Sequence, residues 1–564
     1  MAPPFARLGL LALVALGCAA RPVQPTAAPA ATAPPVPARL VLSVVLDQVG
    51  SWVLERHHGL LRDDGILKTT QRRGLWAHRV AFTYAGTYTG PGHAAIYTGA
   101  PPADSGIVAN RRWDRARRTM VGVLDDGRTV EHGGEAGSFV SPSALRAETV
   151  ADVLRRAAAG RTGDTRIASL SMKDRGAVIP GGQRPDAAVW YTEAARGMTT
   201  SAHYAPEVPA WLAAFNAEHP VAGYFDRPWE PLDRASLVAS GVPDDAPGEG
   251  DWYGLGVTFP HLLSRSSRPL TTFLATPFST EYLADAAGAA VRALQLGADG
   301  APDLLMLSVS GTDYVGHVFG PESWEAMDNL VRVDLALGAL LRELEARSTV
   351  SVLITADHGV MPLVERARTT GNTAAARIEF EDVVRAAEEA LDAALGPGDW
   401  VAEYVQPYLY LRPEALAPAV RARALAAAQE GLRRLPGVGA VHRCDEAVGW
   451  RDDPDPVRRA VALSVDPRVA GELYVVPADG SVVDERMPVG HGTSHGSPWA
   501  RDAEVPVLVS GPGVRHGELT ERREFPRTAA TLAALLGVDP PEHARQGDLL
   551  GREGTEPRRA PTSP

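Results

Sequence analysis

The chain has 564 residues, long enough for one large α/β domain with insertions or for two or three ordinary domains. With 45% apolar and 22% charged residues it has the composition of a soluble globular protein. A net charge of −12 offers no general basic face, which argues against nucleic-acid binding; a site for an anion must bring its own positive charge, from metals or a few placed bases.

Residues 1–18 have the pattern of an export signal. Arg7 is the lone positive charge of a short n-region, and Leu8–Leu16 is an apolar run too short to span a bilayer. Gly17-Cys18 resembles a lipoprotein cleavage and acylation site, although Ala15 and Leu16 are not the preferred residues before it. Lipidation of Cys18, with membrane attachment, and plain secretion both stay open; either places the protein in the periplasm or outer envelope. Cys444 is the other cysteine, so removal or lipidation of Cys18 leaves no intrachain disulfide. Residues 19–38 are rich in Pro and Ala and read as an extended tether. No other apolar stretch is long enough for a transmembrane helix, and no segment points to a protein partner.

Five apolar runs then read as buried parallel strands: Leu40–Leu46, Arg166–Ser171, Leu304–Val309, Val350–Thr355 and Val505–Ser510. Helical patterns at Ala147–Ala159, Thr280–Leu296 and Trp324–Ala346 lie between them. The alternation predicts an α/β fold, a three-layer αβα sandwich, over residues 39–550. Two segments interrupt it. Ala177–Leu274, rich in Trp, Pro and Gly, reads as a cap. Arg377–Pro477 reads as a small α/β insertion, with helices Phe380–Leu395 and Ala415–Leu435 and strands Val401–Leu411, Val438–His442 and Leu473–Val476. Residues 551–564 form a charged tail.

In such sheets ligands gather at the carboxyl ends of the strands. Asp47 directly follows the first strand, Asp313 and His317 follow Leu304–Val309, and Asp357-His358 follow Val350–Thr355. His495, in Gly-Thr-Ser-His-Gly-Ser-Pro, lies just ahead of the last strand. Asp313 and His317 are four apart, which brings them to one face of a helical turn. Any one of these residues alone has a bland role, as a helix cap or a hydrogen-bonded histidine. Six that meet at one sheet edge make a mixed carboxylate and imidazole set suited to Zn²⁺.

Thr89 stands in Thr-Tyr-Thr-Gly-Pro-Gly-His, followed by a short helical run. It reads as a helix N-cap, or as a nucleophile placed where a helix N-terminus presents free N–H groups to a phosphate; Thr87 competes for that role. Gly90 and Gly92 would let a ligand approach the backbone. Lys173 and Arg175 follow Arg166–Ser171. Of 56 Lys plus Arg only Lys68 and Lys173 are Lys, so a compact point charge beside a planar fork stands out here. Both would clamp phosphoryl oxygens, and the Asn110 amide would add a hydrogen bond.

Together these motifs resemble the alkaline phosphatase superfamily, and within it the threonine-nucleophile, PafA-type branch. Thr-Gly-Pro-Gly-His, Lys-Asp-Arg-Gly, Thr-Asp-Tyr-Val-Gly-His, Ala-Asp-His-Gly and His-Gly-Ser-Pro occur in family order from about Leu40 to Leu536. The resemblance implies two zinc ions, one held by Asp47, Thr89, Asp357 and His358 and the other by Asp313, His317 and His495. It implies that Asn110, Lys173 and Arg175 contact the transferred phosphoryl group, with Lys173 standing where related enzymes have a magnesium site. A Thr89 alkoxide would attack phosphorus and a second displacement by hydroxide would release phosphate, with cations about 3.5–4 Å apart clamping both apical oxygens. Gly50-Ser51-Trp52 departs from the family's usual stretch after the Asp-Gln pair, and His93 and His491 are not expected as ligands.

The implied activity is hydrolysis of small phosphate monoesters. A phosphodiesterase or nucleotide pyrophosphatase on the same core is the nearest alternative; Lys173 with Arg175 favours monoesters. A non-catalytic, metal-binding surface lipoprotein is the alternative of another class, and the Thr89 placed beside the ligand set counts against it. The Cys/Ser-x-Pro-x-Arg pattern of sulfatases is absent.

Overall fold

Runs of Val, Leu and Ile with no polar face must be covered on both sides. A computed structural model of the chain describes residues 38–159, 164–484 and 492–551, together with Met1. The export signal, most of the tether, the tail and His491 lie outside the described residues. The strands Leu40–Leu46, Asp303–Val309 and Val350–Thr355 are buried at every position. They form the centre of one mixed sheet. Its order is Gly517–Leu519, Leu75–Ala81, Glu504–Ser510, Val350–Thr355, Leu40–Leu46, Asp303–Val309, Ile167–Ser171, Ala187–Thr192, Gly197–Thr199, with Arg523–Glu524 also paired to Leu75–Ala81.

The helices Thr89–Thr98, Val150–Ala158, Asp174–Gly181 and Pro526–Leu536 pack among themselves in one layer. Ile66–Arg73, Ala210–Glu218, Phe278–Leu294 and Trp324–Glu345 do so in another. One apolar core runs through the sheet and its helices, from Ala38 to Leu549.

One expectation is corrected. The last apolar run, Glu504–Ser510, is antiparallel to Val350–Thr355, not parallel. An apolar run has no direction of its own; what orients this strand is its pairing with Val350–Thr355 on one side and Leu75–Ala81 on the other, antiparallel in both cases. The reversal has a consequence for the site. An antiparallel strand starts where its parallel neighbours end, so the loop that carries His495 arrives at their carboxyl edge.

Residues 177–274 also divide differently. Residues 187–192 and 197–199 extend the central sheet at one edge. From there to residue 274 the segment covers the sheet through Leu212, Phe215, Trp229, Phe259 and Phe273, which join the main core. The Trp229 indole N–H donates to Asp328 Oδ2 at 2.7 Å. The insertion has its own core around Val383, Leu391, Leu409, Leu425 and Val475. Its four strands run in the order Val401–Val405, Tyr408–Leu411, Leu473–Pro477, Val438–Arg443, each antiparallel to the next. The expected single strand 401–411 is a hairpin, because Pro407 has no N–H for a ladder. The expected helix 415–435 spans Arg421–Arg433. The helix Pro456–Ser464, with Asp455 as its cap, was not expected. Among the described residues no helix is long and apolar enough to cross a membrane.

Ile354 sits in the sheet centre, between Val44 and Leu508, and is 1% exposed. Ile354→Ala is expected to lower unfolding stability by about 2–5 kcal/mol, while Val238→Ala, at an exposed helix position, changes it by less than about 0.5 kcal/mol; chemical denaturation midpoints measure both.

Candidate active site

The carboxyl edge of the parallel strands collects the residues singled out from the sequence. Asp47 follows Leu46 directly, Lys173 follows Ser171 by two residues, and Asp357-His358 follow Thr355. Asp313 and His317 share one face of the helix Gly311–Phe319, with His317 Nε2 3.3 Å from Asp313 Oδ1. His495 Nε2 lies 3.6 Å from Asp313 Oδ1, and its ring stacks on His358 at 3.6 Å between centroids. Donor atoms of Asp313, His317 and His495 lie within 4.8 Å of one another, as do those of Asp47, Asp313 and His358. Asp313 therefore reaches toward both groups, whereas the resemblance gives it to one.

The electrostatics of this cluster are severe. Asp47, Asp313 and Asp357 are all buried, and the Lys173 ammonium sits 2.7 Å from Asp47 Oδ2 and 2.6 Å from Asp313 Oδ2. Burial, with Asp313 and Asp357 beside it, pushes Asp47 well above the usual carboxylate range. Burial opposes ionisation of Asp313 too, but Lys173 and His317 outweigh it and hold that carboxyl well below the range. Burial would likewise lower His317, yet Asp313 carries it up to about 9. For His358 and His495 burial dominates and pushes both down. Lys173 and His317 are the cations in contact with these carboxylates, and neither reaches Asp357 within 4 Å.

Three atoms mark where more positive charge belongs. Asp47 Oδ1, Asp357 Oδ2 and His358 Nε2 are buried without a hydrogen-bond partner. They meet: His358 Nε2 lies 3.4 Å from Asp47 Oδ1 and 3.5 Å from Asp357 Oδ2. Two carboxylate oxygens and an imidazole nitrogen left unpaired in a dry site are costly unless a cation joins them. The residues fit a divalent metal of zinc type.

The histidines are oriented for ligation by their other nitrogens. His317 Nδ1 contacts Thr493 O at 2.7 Å, His358 Nδ1 contacts Gly359 O at 2.9 Å, and His495 Nδ1 contacts Thr87 O at 2.8 Å. A carbonyl only accepts, so each Nδ1 donates, and each Nε2 is the ring nitrogen turned to the cluster.

Thr89 opens the helix Thr89–Thr98 as its first residue; the cap is Tyr88, and no side-chain capping bond forms. Thr89 is 1% exposed, and its hydroxyl lies 3.5 Å from Lys173 Nζ. Thr87 is differently placed, because its hydroxyl donates to Ser497 O at 2.9 Å. Asn110 Oδ1 accepts the Gly90 N–H at 2.8 Å, which ties its amide to the helix start. Arg175 lines the cleft beside Asn110, His317 and His495, with Nε unpaired. Lys173 also pairs with the carboxylates of Asp47 and Asp313, a contact the sequence did not indicate.

The two glycines also have another use. A Cβ on Gly92 would lie 2.1 Å from Asp357 O, and one on Gly90 would crowd Ile107 and Asn110. They let the helix abut the ligand loop. Gly50 does the same from the other side, since its Cβ would lie 2.8 Å from the Gly359 Cα.

Sequence reasoning missed Gln48 and undervalued His93. Gln48 has φ 72°, left-handed for a non-glycine residue, and this turns its backbone N–H to Asp357 Oδ1 at 3.2 Å and its amide to Asp313 Oδ1 at 2.9 Å. His93 Nδ1 lies 2.8 Å from Thr89 O and 3.3 Å from Asp357 Oδ2, and its Nε2 2.9 Å from Ser308 Oγ. It sits behind the ligands. The adjacency of Gln48 to Asp47 was the available signal.

The model of the type I phosphodiesterase / nucleotide pyrophosphatase family matches residues 41–496, most of the chain. The alkaline phosphatase PhoV of Synechococcus elongatus is 28% identical over 537 residues, covering 92% of this chain and 93% of its own. The alkaline phosphatase PafA of Elizabethkingia meningoseptica is 27% identical over 533 residues, covering 90% and 93%. A crystal structure of PafA superposes with a TM-score of 0.82 at 25% identity, over 92% of this chain and 99% of that one. The three-layer fold expected from the sequence is that of an alkaline phosphatase.

A methyl group at Gly92 has no flexible side chain to displace. Gly92→Ala is expected to cost about 1–3 kcal/mol of stability, seen as a lower melting temperature, and to shift the Asp357-His358 loop enough to weaken cation binding in a titration.

Proposed function

The chain belongs to the type I phosphodiesterase / nucleotide pyrophosphatase family, and from that premise we propose that it is an alkaline phosphatase that hydrolyses phosphate monoesters through a phosphothreonine at Thr89. The observation that carries this reading is the convergence of three orphaned donor atoms and a lysine beside a threonine hydroxyl free of any capping bond. The names of the relatives support monoester hydrolysis.

In this reading Asp47, Thr89, Asp357 and His358 hold one Zn²⁺, and Asp313, His317 and His495 hold a second. When bound, the metals supply the positive charge that lowers the proton affinity of the Thr89 hydroxyl and of a water. Thr89 Oγ1 attacks phosphorus and the bond to the alcohol breaks, so the phosphoryl group passes to Thr89. Water then attacks the phosphothreonine, and inorganic phosphate leaves. Two in-line displacements retain configuration at phosphorus. Lys173, 3.5 Å from Thr89 Oγ1, Arg175 and the Asn110 amide hold the phosphoryl oxygens, and charge on all of them suits a monoester better than a diester. Asp47, Asp313 and Gln48 fix Lys173 and the ligand carboxylates before substrate arrives. An envelope location, with or without lipidation at Cys18, belongs to the same reading.

Thr89→Ala is expected to abolish turnover even with zinc in excess, and Asn110→Ala to lower kcat/KM by about 10²–10³-fold; undiminished hydrolysis by Thr89→Ala would remove it from the mechanism. Elemental analysis is expected to find two divalent cations per chain, zinc foremost, with fewer in His358→Ala and in His495→Ala. A chelator should stop hydrolysis and zinc restore it. Rates on an aryl phosphate and on its methyl diester, measured side by side, should favour the monoester; a strong diester preference points to the phosphodiesterase reading instead.

A further inference from the structure

Asp502 lies fully buried in the helical turn Ala500–Ala503 and takes no part in the proposed chemistry. Burial pushes its carboxyl up to about 7, so an acid is costly there unless its oxygens are used. One of them is used twice. Asp502 Oδ2 accepts the Ser497 N–H at 3.0 Å and the Ser497 hydroxyl at 2.6 Å.

Ser497 closes a ring of contacts around one imidazole. Its carbonyl accepts the Thr87 hydroxyl at 2.9 Å, and the Thr87 carbonyl accepts His495 Nδ1 at 2.8 Å. His495 stands two residues before Ser497 in the same loop, and all of these residues are buried. The ring fixes which way the imidazole faces. Asp502 ties it to the sheet, because the turn Ala500–Ala503 runs straight into the strand Glu504–Ser510. The main chain of the same turn holds the other ligand loop. Gly359 N–H donates to Asp502 O at 2.7 Å and Val360 N–H to Arg501 O at 3.1 Å, and a Cβ on Gly359 would run into Arg501 O. Gly359 O in turn accepts His358 Nδ1. The side chain of Asp502 therefore serves the His495 loop, and its main chain the His358 loop.

We infer that Asp502 is a positioning residue: through Ser497 and Thr87 it orients His495, and so sets the affinity of the cation that His495 holds without touching the one at His358. This rests on the reading of His495 as a ligand given above. Removing the side chain leaves the Asp502 carbonyl in place, so the effect is confined to one cation, which a general loosening of the fold would not produce. The test challenges the zinc-loaded protein with graded chelator and measures the zinc retained per chain. Asp502→Ala should give up one zinc at about 10-fold lower chelator than the parent, the lower end of the range for a group that orients a ligand. The other zinc should leave where it does in the parent, and His495→Ala should lack the weakened one. Ser497→Ala keeps the N–H bond to Oδ2 and should weaken the same zinc by less. Asp502→Asn should restore the parent's affinity, since an amide oxygen accepts the same pair of bonds. Equal weakening of both cations, or none, in a folded Asp502→Ala overturns the inference; if that variant does not fold, Ser497→Ala decides by the same criterion. A parent that retains two zinc ions yet turns over no monoester sinks the proposed activity and leaves this test intact.

Discussion

Three carboxylates buried side by side, with one lysine between two of them, set the terms for the rest of this structure. Coulomb repulsion in a dry site forbids three adjacent charges without compensation, and Lys173 touches only Asp47 and Asp313. The unmatched part of that demand appears as the raised Asp47 and as orphaned atoms on Asp47, Asp357 and His358. Much of the surrounding architecture keeps the cluster from relaxing. The glycines at 50 and 92 bring the backbones of neighbouring loops against it, Gln48 accepts a left-handed conformation to reach two of the carboxylates, and three carbonyls fix the imidazoles. Such a site is stable as a folded object only when charge arrives to match it.

The central strands were legible because a run such as Leu-Val-Leu-Ser-Val-Val-Leu has no other place to go than a sheet covered on both faces. Strand direction was not legible, since pairing, and not composition, decides it. Leu75–Ala81 escaped notice because His78 and Arg79 interrupt its apolar run where the strand meets solvent. The ligands were legible for a different reason: each carries metal-binding chemistry, and nearly all adjoin a strand end. Their partners were not, because the supports are main-chain carbonyls of Thr87, Gly359 and Thr493, which any residue type provides. Lys173 was found by its rarity in an arginine-rich chain, yet its ion pairs with Asp47 and Asp313 needed coordinates. Thr89 was preferred to Thr87 from its place in the Thr-Gly-Pro-Gly-His run, and the two hydroxyls point differently, that of Thr87 to Ser497 O and that of Thr89 toward Lys173.

The chain divides its tasks by location. Groups able to carry charge and protons sit on rigid elements at the sheet edge, where packing on both sides fixes them to within a rotamer. The outer cleft walls come from the short hairpin Arg111–Asp114/Thr119–Gly122 and from the insertion, which has a core of its own. Changes in those outer segments leave the buried cluster untouched, so the surface seen by a leaving group can vary while the reacting edge stays fixed.

The antiparallel last strand has a bearing on how the molecule is made. A ribosome delivers Asp47, Asp313 and the Asp357-His358 pair long before His495 and the strand Glu504–Ser510 that anchors its loop. Without those final segments the centre would lack one imidazole and Val350–Thr355 one of its sheet neighbours. Completion of the centre is therefore a late event, and a prematurely terminated product lacks the means to finish it.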